Sequence, residues 1–237
     1  MKLTVRSVAQ LLGITEKALY RMVEDGEIPA HLVHDQYRFH RTELLEWAMA
    51  RGITLSPELL QQEVSRASEE LPGLAQALCD GGVFYAVKGS DKGEALRSMV
   101  NAISLPEEVD RDLLLRMLLA RESMASTGIG DGIAIPHVRN PVVVKLPCPR
   151  VALCFLENPV DFQAVDGKPV FALFSLVSPN VRIHLHLLSR LAFALQDSGV
   201  KETIQSRAPA DRIIAQFARL EPSMSPAAGE REDAPPR

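Results

Sequence analysis

The stretch Arg121-Glu-Ser-Met-Ala-Ser-Thr-Gly-Ile-Gly-Asp-Gly-Ile-Ala-Ile-Pro-His137 decides how the rest of the chain is read. A helical pattern ends near Arg121, a glycine-studded turn (Gly128, Gly130, Gly132) follows, then a tiny strand over 133–135. Pro136 fixes the backbone just ahead of His137. These glycines match neither a dinucleotide fingerprint nor a P-loop, since no helix opens after them and no Gly-Lys-Ser/Thr follows. A histidine held rigidly at a strand end beside an open loop can act as a nucleophile, or it can be a structural hydrogen-bonder. A histidine that accepts a phosphoryl group needs a neutral ring nitrogen to attack, and donors where the transferred oxygens arrive. Arg121 offers an always-charged planar fork for those oxygens, and His184, near the start of a later helix, offers one more donor.

Around this stretch, apolar runs over Val83–Val87, Val151–Leu156 and Val170–Val177 read as buried strands. Helical patterns cover Asp91–Ile103, Glu107–Arg121, Val181–Gln196 and Asp211–Leu220. Strands interleaved with helices predict an α/β sandwich over residues 74–221, with a mixed sheet flanked by helices. Residues 52–73 read as a helical linker in which Leu60, Val64, Ala67 and Leu71 form a narrow apolar seam. That seam suits a helix resting on a neighbour or a short dimer coiled coil. Residues 222–237, rich in proline, read as a disordered tail.

Residues 1–51 have another texture, three short helices and a hairpin. Thr4 caps Val5–Leu12, Gly13 closes it, and Thr15 caps Glu16–Glu24, which makes a helix-turn-helix pattern. His31-Leu32-Val33 and Tyr37-Arg38-Phe39 flank a polar turn, as in a wing, and Thr42 is expected to cap a third helix over 43–51. Basic and acidic side chains nearly cancel here, so one copy should hold DNA weakly.

The whole chain has 237 residues, 46% hydrophobic and 24% charged, with a net charge of −4. A packed core is affordable in length, and a protein that coats nucleic acid non-specifically is excluded by the charge. No apolar stretch approaches the ~18 residues of a membrane span, and residues 1–13 lack the apolar region of a signal peptide. Cys79, Cys148 and Cys154 form no CxxC pair, which suits reduced thiols in a cytoplasm. No metal or organic cofactor is expected. His184 and His186 sit two apart on a helix and point about 200° away from each other, and His31, His34 and His40 have no cysteine neighbours.

Residues 116–140 resemble the phosphorylation motif of the enzyme IIA domains of the mannitol–fructose and nitrogen-regulatory branches of the bacterial phosphotransferase system. Asp166–Val170 and His184–Ala192 resemble two further motifs of that family, in the same order. The resemblance implies that His137 is the phospho-accepting residue, with Arg121 and His184 lining its pocket. It also implies a phosphohistidine-bearing HPr-like carrier as donor, and a IIB component or a regulated target as possible recipient. Residues 1–51 resemble the excisionase-type branch of MerR-like winged helix-turn-helix domains. The carrying residues are Leu3-Thr4-Val5, Val8-Ala9, Ala18-Leu19-Tyr20-Arg21, Gly26–Ala30, Tyr37-Arg38-Phe39 and Leu44 with Trp47. That likeness implies that Glu16, Lys17, Tyr20 and Arg21 face DNA while Arg38 and Arg41 meet phosphates. The expected protein is a cytoplasmic phosphoryl-carrying regulator, with two alternatives for the front module: it reads DNA, as a monomer or a homodimer, or it only docks proteins while the second domain serves a sugar transporter.

Overall fold

The computed structural model describes residues 2–33, 35–51, 53, 71–138 and 146–224. The expected linker seam from Leu60 to Ala67, His34 in the wing turn, and the tail beyond residue 224 lie outside the described residues.

The front module forms as its caps dictate. Thr4 and Thr15 each accept a backbone N–H of the first turn, of Ser7 into α1 (Val5–Leu12) and of Ala18 into α2 (Glu16–Glu24). Each such cap is worth about 1 kcal/mol. Gly13 at φ 66° takes the left-handed position that ends α1 and allows the tight connection to α2. The hairpin pairs β2 (His31–Val33) with β3 (Gln36–His40), and an additional strand, β1 (Lys2–Thr4), pairs with the other edge of β3. The third helix, α3 (Arg41–Ala50), begins one residue before Thr42, so Thr42 lies inside its first turn and is not the cap.

The second body is an α/β sandwich around a five-stranded mixed sheet of order β4-β7-β8-β6-β5. Its strands are β4 (Val83–Val87), β5 (Gly128–Gly130), β6 (Ile133–Ala134), β7 (Arg150–Val160) and β8 (Val170–Val177). Both faces are covered, which is why β7 and β8 are near-continuous apolar runs. Val151, Leu153 and Phe155 feed one core, and Ala152, Cys154 and Leu156 the other. The second core takes α5 (Lys92–Ala102) and α6 (Arg111–Met124). The first takes α4 (Leu74–Gly81), α7 (Val181–Ala194), α8 (Ser198–Gln205) and α9 (Ala210–Met224), and it is continuous with the core of the front module, to which Leu44, Leu45 and Trp47 belong.

Two helices, α4 and α8, were not expected. They are short, and α4 lacks a capping side chain of its own: its Ala75 N–H donates to Glu221 of α9 instead. The last helix also runs further than expected. Ile213, Phe217, Leu220 and Met224 are buried at spacings of four, three and four, so the apolar stripe carries α9 past Pro222 to Met224.

Candidate phosphoryl-transfer site

His137 is held by the sheet. The segment after β6 runs beside β8, with His137 bridged to Leu176 and the Pro136 carbonyl accepting from Leu176 N–H. The glycine segment is a tight hairpin and not an open loop: Gly128 pairs with Ala134, and Gly130 with Ile133. Gly128 is required by space, because a Cβ there would stand 2.7 Å from the Ala164 Cβ. Two carboxylates pin the hairpin. Glu122, buried at the end of α6, accepts from the Thr127 backbone N–H at 3.0 Å and its hydroxyl at 2.6 Å. Asp166 accepts from Asp131 N–H at 2.9 Å across the turn.

The ring of His137 is 2% exposed, and its Nδ1–H donates to the Ile135 carbonyl at 2.7 Å. That bond dedicates Nδ1 and leaves Nε2 as the atom that faces the pocket. Arg121 is 6% exposed, and one Nη donates to the Ala125 carbonyl at 2.8 Å, which aims the guanidinium along the pocket wall. The His184 ring lies 5.3 Å from that of His137, centroid to centroid. Burial, then the charge of His137, push the His184 pKa down to about 3, with Glu46 opposing, so the ring is neutral. Ser178 Oγ lies 3.3 Å from Nδ1; with the hydroxyl as donor the His184 proton sits on Nε2, a buried atom with no partner among the described residues. Sequence reading named these three residues, and the structure brings all three together. His186 turns the other way, onto the Pro72 carbonyl at 3.2 Å.

One wall was missed. Glu46 of α3 reaches into the pocket and bonds His137 Nε2 at 2.6 Å and the Arg121 guanidinium. Burial acts to raise the Glu46 carboxyl, but the hydrogen bond and charge of His137 and those of Arg121 together hold it below its ordinary value. Its partners lie 75 and 91 positions away, so no local spacing singles it out. Next to this contact, a cleft of about 580 Å³ separates the front module from the sandwich, lined among others by Trp47, Arg51, Met124 and Val165.

The residues expected to face DNA divide. Glu16, Lys17, Tyr20 and Arg21 are exposed along α2. Arg38 lies on the wing with its guanidinium on Gln36 Oε1 at 2.6 Å. Arg41 departs from expectation: as the first residue of α3 it is 8% exposed, packed inside the module and not presented to a phosphate. His31 is partnered by Glu43 at 2.6 Å and lies edge-on to His40.

Comparison with known proteins shows the families to which the two bodies belong. Residues 78–219 match the family described as "Phosphoenolpyruvate-dependent sugar phosphotransferase system, EIIA 2", and residues 3–52 match a helix-turn-helix domain family. A nitrogen regulatory protein of Pseudomonas aeruginosa is 37% identical over 144 residues, which is 59% of this chain and 91% of that protein. A fructose-specific EIIA component of Haloferax volcanii is 37% identical over 112 residues, 45% of this chain and 71% of its own. The crystal structure of the nitrogen regulatory protein IIA-Ntr from Neisseria meningitidis superposes with a TM-score of 0.52 at 28% identity, covering 61% of this chain and 98% of that one. The chain belongs to the type 2 EIIA family of the phosphotransferase system, with a helix-turn-helix domain in front. Among the described residues, no helix is long and apolar enough to cross a membrane.

Proposed function

We propose that this chain is a regulatory phosphoryl carrier: His137 accepts a phosphoryl group from the phosphohistidine of an HPr-like protein, and the resulting state bears on DNA binding by the front module. The observation that carries the reading is one cluster of three groups: His137 with Nδ1 committed to a carbonyl, the buried Arg121 fork beside it, and the buried His184 ring 5.3 Å away. The reaction needs little more than positioning and charge. The Nε2 lone pair forms the new N–P bond while the donor's N–P bond breaks and returns its electron pair to the donor's ring. Nδ1–H stays on the Ile135 carbonyl throughout, Arg121 faces the transferred oxygens, and His184 Nε2–H is available to one of them.

The test is intact-protein mass after incubation with phosphoenolpyruvate, enzyme I and the HPr-type carrier. An acid-labile gain of one phosphate that vanishes in His137→Ala supports the reading, and no gain with any donor overturns it. A second reading, a carrier for a sugar transporter whose front module only docks proteins, draws on the packing of α3 against α7 and β5. Transfer of the label from His137 to a IIB domain, with no DNA affinity in either state, would favour it.

A further inference from the structure

The contact between the two bodies is made at the nucleophile itself. One oxygen of Glu46 meets His137 Nε2 and the other meets Arg121. These are the two groups that a phosphoryl group on His137 would engage: the first is the atom phosphorus bonds, the second is the cation that faces its oxygens. With the carboxylate in place, the cavity bounded by Thr127, Gly128, Ile135 and Leu188 measures about 20 Å³. That is room for a water molecule and not for a phosphorus with three oxygens. The protons tell the same story. A ring whose two nitrogens face a carbonyl and a carboxylate carries a proton on each, and an imidazolium has no lone pair with which to attack.

We infer that Glu46 is an internal occupant of the phosphoryl site, so that docking of the front module through α3 and phosphorylation of His137 exclude each other. The inference rests on the proposed role of His137. As α3 lifts, the Nε2 proton passes to solvent, Arg121 is released from the carboxylate, and the phosphoryl group arrives at the vacated place with the bond changes described above. Once there, its charge repels Glu46 and holds α3 away. The surface of α2 is open in the docked form, so the phosphoryl group changes the placement of the front module and not the exposure of its DNA-facing residues.

Trp47 supplies the readout. It is the one tryptophan of the chain, 8% exposed, and it lines the cleft beside Glu46. The experiment follows the mass gain and Trp47 emission together in the full-length protein, Glu46→Ala and Glu46→Gln, with phosphoenolpyruvate, enzyme I and the HPr-type carrier. Glu46→Gln keeps the size of the side chain, and a cooperative urea transition in that variant shows that its fold is kept. Both variants are expected to take the label at least about tenfold faster than the parent, the scale of losing a charge-assisted hydrogen bond that holds the closed form. Their unlabelled emission should already match that of the labelled parent. Equal labelling rates in the three chains overturn the inference and leave the role of His137 standing. Absence of label on all three overturns the role of His137, and the inference with it.

Discussion

The helices α2 and α3 are of similar length, yet α2 keeps Glu16, Lys17, Tyr20 and Arg21 in solvent over a single buried residue, Leu19, while α3 has Leu44, Leu45, Trp47 and Ala48 all buried. At 100° per residue, those four side chains of α3 share one side of the helix, and Glu46 falls on the opposite side. In an isolated module that side would be solvated. Here it faces the histidine of another domain. The contrast teaches that a polar helix face is a statement about chemistry and not about exposure: α2 offers its polar face outward, and α3 offers one carboxylate to a buried arginine and imidazole.

The largest expected effect breaks the α2 side. Leu19→Ala removes the only buried residue of that helix, at 0% exposure, and should cost about 2–5 kcal/mol, read as a lowered urea midpoint with the midpoint slope unchanged. Next, Lys17→Ala with Arg21→Ala should weaken binding to a generic DNA duplex about tenfold and reduce the salt slope by about two, in fluorescence anisotropy at fixed salt. Trp47 emission should not move, because neither side chain touches α3's contact. If it does move, the two helices are not separable.

Acid sharpens the other side. Burial holds His184 neutral in the fold down to about 3 against an ordinary 6.5, so the unfolded chain binds more protons across that window. Stability is therefore full above about 6.5 and falls as pH drops towards 3, by no more than about 1.4 kcal/mol per pH unit from this ring. His184→Gln should flatten that slope in urea titrations taken between pH 7 and 5. The smallest effect belongs to Arg51, whose guanidinium lies 5.1 Å from the Trp47 ring centroid. Arg51→Ala should cost about 0.5–1 kcal/mol and shift Trp47 emission slightly, without changing the labelling rate.

Much of this was legible in the chain. The caps Thr4 and Thr15, the glycine at 13, and the apolar runs at β7 and β8 act over a few residues, and each formed as expected. His137, Arg121 and His184 were legible because they stand in ordered motifs that resemble a known family. What was not legible depends on partners far along the chain. The cap of α4 comes from Glu221, the persistence of α9 past Pro222 comes from a core that Met224 reaches, and the burial of Arg41 comes from the fold of the module around α3. Glu46 is the extreme case, an acidic residue on a polar helix face whose meaning is set by residues 75 and 91 positions later.

That order along the chain has a consequence for biosynthesis. N-terminal domains fold first as a chain leaves the ribosome. Glu46 precedes His137 by 91 positions, so the front module is made and folded before His137 exists. When the sandwich closes around His137, its cover is already waiting, and each new molecule starts life with that histidine capped by the Glu46 carboxylate.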